Sequence, residues 1–267
     1  MERIRVFVTG ACGKMGSETI RTLLSQSDIE IVGASDIRNQ GEDIGKILGM
    51  NETGIKLQGS LDEQILEAAK TDILVDFTNP LSVFANAKTA LRANVVPVIG
   101  ATGLDEQELA ELEDMAVKQN GGVFIAPNFA LGAILMMKFA QETAKYFKHV
   151  DIIEYHHDQK LDAPSGTALR TAEKISQERP PMIQGDPNEY EKIPGSRGGD
   201  FQGIHIHSVR LPGLIAHQEV LFGGSGQTLT IRHDAYTRET YMPGILLAIR
   251  KSYKIKGLVV GLENFLD

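Results

Sequence analysis

The run Glu154-Tyr155-His156-His157-Asp158-Gln159-Lys160-Leu161-Asp162-Ala163-Pro164-Ser165-Gly166-Thr167-Ala168 gathers two imidazoles, an ammonium group and a Ser-Gly-Thr helix entry. Residues of these types suit an anionic substrate. Val150, Ile152 and Ile153 ahead of the run read as a strand, and Ser165 or Thr167 can cap a helix beginning near Ala168. The polar residues then occupy a strand-to-helix junction, where free backbone N–H groups and the positive end of the helix dipole attract carboxylate or phosphate. Lys160 adds a full charge, and His156 is the residue best suited to move a proton near neutral pH. Taken alone, the same residues also fit two ordinary loop histidines, a solvated lysine and a plain helix cap.

A second group of residues stands at the other end of the chain. Ile4 to Thr9 is a short β-rich run, followed by Gly10-Ala11-Cys12-Gly13-Lys14-Met15-Gly16 and then the helical spacing Ile20, Leu23, Leu24. Glycines at 10, 13 and 16 form a variant of the dinucleotide fingerprint, in which one permits a tight turn, one a close approach of pyrophosphate and one tight helix–strand packing. A second strand, Ile29 to Ala34, leads to Asp36, about 20 residues beyond the glycines, where a carboxylate accepts hydrogen bonds from ribose hydroxyls. Arg38 and Lys14 are cations that could accommodate a 2′-phosphate, so both NADH and NADPH are expected to serve. Cys12 reads as a small residue tolerated in the loop.

These residues need elements to position them. Strands are expected at Ile73 to Thr78, Val95 to Ile99 and Gly122 to Ala126, separated by helices near 62–70, 81–93 and 105–119. The alternation predicts an α/β, Rossmann-like parallel-sheet domain. Its ligand-facing loops, at the carboxyl ends of the strands, would include Thr78, Gly100, Ala101, Thr102, Ala126, Pro127, Asn128 and Phe129. After a helix around 130–146 the pattern changes to β-rich runs at 149–155, 203–211, 217–222 and 227–233, with one clear helix at 166–178. That predicts an α+β substrate domain with an open mixed sheet. Pro180 to Gly203, dense in Gly, Pro and charge, reads as a surface excursion or lid. Tyr241 to Tyr253 is helical in spacing, and Leu258 to Val260 reads as a strand or helix remnant that rejoins the first domain. The expected division is therefore a discontinuous dinucleotide-binding domain, 1–129 and 240–267, around a substrate-binding and oligomerisation domain, 130–239. Arg238, at the sequence boundary between them, is placed to grip a carboxylate bidentately, or to stand as a solvated loop arginine.

Composition narrows the class further. A chain of 267 residues exceeds the usual single-domain length of about 100–200. A hydrophobic fraction of 42% with 23% charged residues is that of an ordinary globular protein. The formal net charge of −8 and the lack of a Lys/Arg cluster argue against a nucleic-acid partner. A single cysteine rules out an intrachain disulfide, and no Cys/His spacing resembles a structural zinc site; His205 and His207 alternate on one strand face without a helpful third ligand, so no metal is expected. The opening residues lack the apolar core of a signal peptide, and the apolar stretch Phe129 to Ala140 falls short of the roughly 20 residues that span a bilayer. A cytoplasmic protein outside the membrane is the expectation.

Val8 to Gly16, Val75-Asp76-Phe77-Thr78, Ala126-Pro127-Asn128-Phe129 and above all His156-His157…Lys160…Asp162-Ala163-Pro164-Ser165-Gly166-Thr167 resemble the 4-hydroxy-tetrahydrodipicolinate (dihydrodipicolinate) reductase family over essentially the whole chain. The resemblance implies reduction of 4-hydroxy-tetrahydrodipicolinate, a cyclic imine with two carboxylates, by NADH or NADPH with loss of water, in the diaminopimelate route to lysine. It also implies that His156 and Lys160 handle protons, that His157, Gly166 and Thr167 hold a substrate carboxylate with Ser165 beside them, that Arg238 acts on the substrate side, and that the protein is a homotetramer built through the substrate-domain sheets. An aspartate-semialdehyde dehydrogenase would need a thiol among the substrate-domain residues, and the only cysteine, Cys12, lies in the glycine loop. A nicotinamide-sensing binding protein would leave the His156, His157 and Lys160 cluster without a purpose.

Overall fold

In the computed structural model, which describes residues 3–266, the glycine-rich beginning is a strand, a tight turn and a helix: β1 (Ile4–Thr9) runs through Gly10 to Gly13 into α1 (Lys14–Leu24). The alternation continues with β2 (Ile29–Ser35), the short α2 (Ile44–Ile47), α3 (Glu63–Ala68), β3 (Ile73–Asp76), α4 (Val83–Arg92), β4 (Val96–Ile99), α5 (Glu106–Lys118) and β5 (Gly122–Ile125). Every residue of β3 and β5 is buried, as continuous apolar runs must be when helices cover both faces of a parallel sheet. The helices supply that cover through one stripe each; α1 buries Gly16, Thr19, Ile20 and Leu23. A reciprocal Asp105–Glu108 capping box starts α5. One apolar layer joins Val83, Leu91 and Leu112 to Ile99 and Val123, and another joins Leu66 to Phe7 and Leu74.

The chain divides into two compact units, one built from residues up to Ala130 and again from Tyr241 onward, the other from Leu131–Thr240. The second unit begins with α6 (Leu131–Ala144), followed by β6 (His149–His156), α7 (Gly166–Ser176), β7 (Gly199–Phe201), β8 (Ile204–Arg210), β9 (Ala216–Gly224) and β10 (Gln227–Ala235). Its sheet has the order β10-β9-β6-β8-β7, with β6 and β8 parallel and the other pairs antiparallel. In β6 the inward side chains are Val150, Ile152 and Glu154. Gln218 on β9 donates to the Thr171 hydroxyl at 2.7 Å, tying α7 to the sheet.

The stretch from Pro180 is fastened rather than free. Arg179 donates to the carbonyls of Lys148 and Gln202, and the buried Gln184 side chain pairs with both the N–H and the carbonyl of Val150, where β8 does not reach. Its last residues form β7, a strand of three that Gly and Asp disguise in the sequence.

The return segment rejoins the first unit as α8 (Met242–Ser252) and β11 (Gly257–Val260). Leu258 to Val260 is thus strand, paired parallel with β5. The completed sheet has six parallel strands in the order β11-β5-β4-β3-β1-β2. Strand order reverses between β1 and β3, the switch point at which open α/β sheets bind ligands.

Candidate active site

At that switch point a cleft of about 490 Å³ opens over the carboxyl ends of β1, β2 and β3. Gly10 takes φ +76°, and a Cβ there would overlap the Phe77 carbonyl, while a Cβ on Gly16 would overlap the carbonyl of Gly10. Only glycine lets the loop lie this close to β3 and to its own helix. The N–H groups of Gly10 and Ala11 bond the Ser35 carbonyl, and that of Cys12 bonds Asp36 Oδ2 at 2.9 Å. No side chain caps α1, so the N–H groups of Lys14 and Met15 have no protein acceptor among the described residues. This positive helix end, over a loop pressed flat by glycine, fits the pyrophosphate of a dinucleotide.

Asp36 lies at the rim, where Arg38 binds it through both the backbone N–H and Nε. Burial would raise the Asp36 carboxyl, but the bonds from Arg38 and Cys12 hold it below its ordinary value. Thr78 enters the cleft from the end of β3, its N–H and hydroxyl both donating to the buried Asp76, which also accepts from Asn86. Burial pushes the Asp76 carboxyl up, and these donors only partly offset it.

In the second unit, β6, the central strand of its sheet, ends at His156. Glu154, two residues earlier on the same face, is wholly inaccessible to solvent and bonds His156 Nδ1. Arg210, paired opposite His156 on β8, grips the same carboxylate with both terminal nitrogens at 2.9 and 2.7 Å. Its Nη2 also reaches the Asp162 carbonyl. Burial would raise Glu154, yet bonds from His156, Arg210 and Ser208 bring it down to about 2. The Ser165 N–H bonds Glu154 as well, and the Ser165 hydroxyl caps α7 at the N–H of Ala168. The Gly166 and Thr167 N–H groups at the same helix end have no protein acceptor among the described residues. Lys160 turns back toward His157 through its backbone and pairs with Asp162 at 2.6 Å, while the His157 side chain is exposed. A proton carrier, an ammonium and an open helix N-terminus on one loop can bind a carboxylate and protonate an adjacent atom.

Two family models cover the chain: the dihydrodipicolinate reductase N-terminus matches residues 4–129 and the dihydrodipicolinate reductase C-terminus matches residues 132–266. The chain belongs to the dihydrodipicolinate reductase family. Relatives of that family named 4-hydroxy-tetrahydrodipicolinate reductase include one from Desulfitobacterium hafniense, 66% identical over the full length of both chains, and one from Syntrophomonas wolfei, 53% identical over 99% of each. The chain is also similar to the solved dipicolinate-bound dihydrodipicolinate reductase from Paenisporosarcina sp. TG-14, with 46% identity, a TM-score of 0.89 and coverage of 99% of this chain and 100% of that one. An amine dehydrogenase from Mycobacterium smegmatis, 16% identical with a TM-score of 0.67, shares the fold.

Of the dinucleotide-site candidates in this reductase-family chain, Gly10, Gly13, Asp36, Arg38 and Thr78 line one cleft. Ala11, Cys12, Lys14 and Met15 belong to the same loop and helix start. Gly100, Ala101 and Thr102, after β4, and Ala126 to Asn128, after β5, are not among the cleft residues, and Phe129 buries its ring against Phe77 and Phe124. Ser165 spends its hydroxyl on the helix cap; Thr167 does not cap. Arg238 is exposed on a short 3₁₀ turn, and among the described residues no bond joins it to the histidine loop. His205 and His207 both turn to Asp151, at 3.6 and 3.1 Å. Sequence reasoning missed Glu154, Arg210 and Asp76. For Glu154 a signal existed: an acid two residues before a histidine on a strand must share its face.

Proposed function

We propose that the chain reduces 4-hydroxy-tetrahydrodipicolinate to tetrahydrodipicolinate with loss of water, in the diaminopimelate route to lysine. The observation that carries this reading is the loop after β6, where an imidazole held by a buried carboxylate is followed by Lys160, paired with Asp162, and by the open N-terminus of α7. The cleft at the switch point of the first sheet, lined by Gly10, Gly13 and Asp36, supports the NAD(P)H side of the reading. A bound reduced nicotinamide supplies the hydride. The N–H groups of Lys14 and Met15 would hold the pyrophosphate, Asp36 the ribose hydroxyls, and Arg38 a 2′-phosphate when one is present.

The Gly166 and Thr167 N–H groups, with His157 and Lys160, would fix one substrate carboxylate, and Arg238 is the candidate for the other. Lys160 would clamp the dianion and support proton transfer. His156, with Nδ1 turned to Glu154, offers Nε2 to the substrate and would donate the proton that balances hydride addition.

The test is oxidation of NADH and of NADPH, run in parallel with freshly generated substrate. H156Q should cut turnover by about 100-fold, in line with the usual worth of a general acid, and leave the KM for substrate within about threefold. Unchanged turnover would remove His156 from the role. We further read the smaller unit as the oligomerisation unit of a homotetramer, since the face of its sheet that carries Ile153, Tyr155 and Leu221 is only partly buried. Sedimentation velocity at working concentration checks this, and a monomer would refute it. A cytoplasmic location belongs to the same reading, and fractionation of cells tests it. Among the described residues no helix is long and apolar enough to cross a membrane.

A further inference from the structure

We propose that Glu154 and Arg210 act together as positioning residues for the proton donor, setting its tautomer and the pH range over which it carries its proton. The inference rests on His156 being that donor. Glu154 gathers His156 Nδ1, two nitrogens of Arg210, the Ser165 N–H and the Ser208 side chain. A carboxylate on Nδ1 requires hydrogen there in the neutral ring, which leaves Nε2 as the acceptor and, after protonation, the donor. Arg210 extends the same constraint to the Asp162 carbonyl, so the imidazole and the Lys160–Asp162 turn share one anchor.

The two partners act on the imidazolium with opposite sign. Glu154 favours it by charge and by hydrogen bond, whereas Arg210 disfavours it by charge and competes for the same oxygen, Oε2. The other charged or titratable groups on the loop that follows His156 are His157, Asp158, Lys160 and Asp162. β9 presents Ala216 opposite it, and α7 contributes only its backbone terminus. No other described carboxylate bonds the ring.

Replacing either partner should therefore move the alkaline limb of the kcat–pH profile, in opposite directions. In E154Q, which keeps the shape and loses the charge, the fall of activity should begin about one pH unit lower than in the parent enzyme. In R210Q it should begin about one pH unit higher. A purely architectural pair would lower kcat and thermal stability in both variants without moving the limb, or would move both the same way, and either result overturns the proposal. Binding of dipicolinate within about threefold of the parent confirms a folded pocket in each variant.

Should R210Q not fold, the parent enzyme decides the matter. Long-range ¹H–¹⁵N correlation on histidine-labelled protein should show His156 with hydrogen on Nδ1 above the limb, and an Nε2–H tautomer there would sink the idea. H156Q separates this inference from the reading beneath it. If the limb survives in H156Q, the donor was misassigned. If it vanishes there but stays fixed in E154Q and R210Q, His156 stands and the positioning role falls.

Discussion

Glu154 has no solvent access, yet its carboxyl is held near 2, because burial, which would raise it, is outweighed by donors from His156, Arg210 and Ser208. A value depressed in the folded chain stabilises it above the ordinary 4.5 and loses that contribution as pH falls toward 2. At about 1.4 kcal/mol per pH unit the gap is worth about 3 kcal/mol. Urea unfolding followed at pH 7, 5 and 3 should show the smaller unit losing about 2 kcal/mol of this by pH 3, with a flatter dependence in E154Q. Asp36 and Arg38 make a separate point at the same scale. The two already pair at 3.1 Å, so in the proposed site a 2′-phosphate would compete with Asp36 for Arg38. R38A should raise the KM for NADPH about tenfold and leave that for NADH within about twofold, which steady-state assays with the two cofactors will read.

The glycine loop carries the prediction that belongs to the elements. Replacing Gly16 by alanine drives a methyl group into the Gly10 carbonyl, and neither backbone can give way because Gly10 is itself wedged against Phe77. G16A should cost about 2 kcal/mol of stability in the first unit and abolish NADH fluorescence enhancement on binding. At this scale most of the architecture was legible. Each strand of the first sheet up to β5 announces itself as an apolar run followed by a helical period, and a parallel sheet follows from that alternation. What was hidden had local causes. α2 is a single turn, β7 is three residues with a glycine and an aspartate, and Leu258 to Val260 is too short for its period to tell strand from helix. The parallel pairing of β6 with β8 was equally invisible, and with it Arg210, since nothing near residue 210 points to an acid 56 positions earlier. His156, Lys160 and the Ser165 cap could be read because their chemistry lies within one short loop. The Arg210 bonds that brace this loop come from a neighbouring strand.

On the scale of the molecule, the first unit is assembled from both ends of the chain. β11 covers the edge of β5, and α8 packs on the same sheet, with the Gly244 backbone pressed against Phe129. A chain stopped at Thr240 would bare the fully buried β5 as a sheet edge, so it should fail to bind NADH and should aggregate at concentrations where the intact protein does not. Light scattering and cofactor titration on the shortened chain test both outcomes.

The late position of β11 bears on how the protein is made. Translation at about 5–20 residues per second delivers the whole of the inserted unit before the last strand leaves the ribosome. Throughout that interval the nascent nucleotide-binding half has five strands and one unsealed flank. A chaperone that holds extended apolar segments would find its natural client site on that flank, and only until the carboxyl-terminal segment docks.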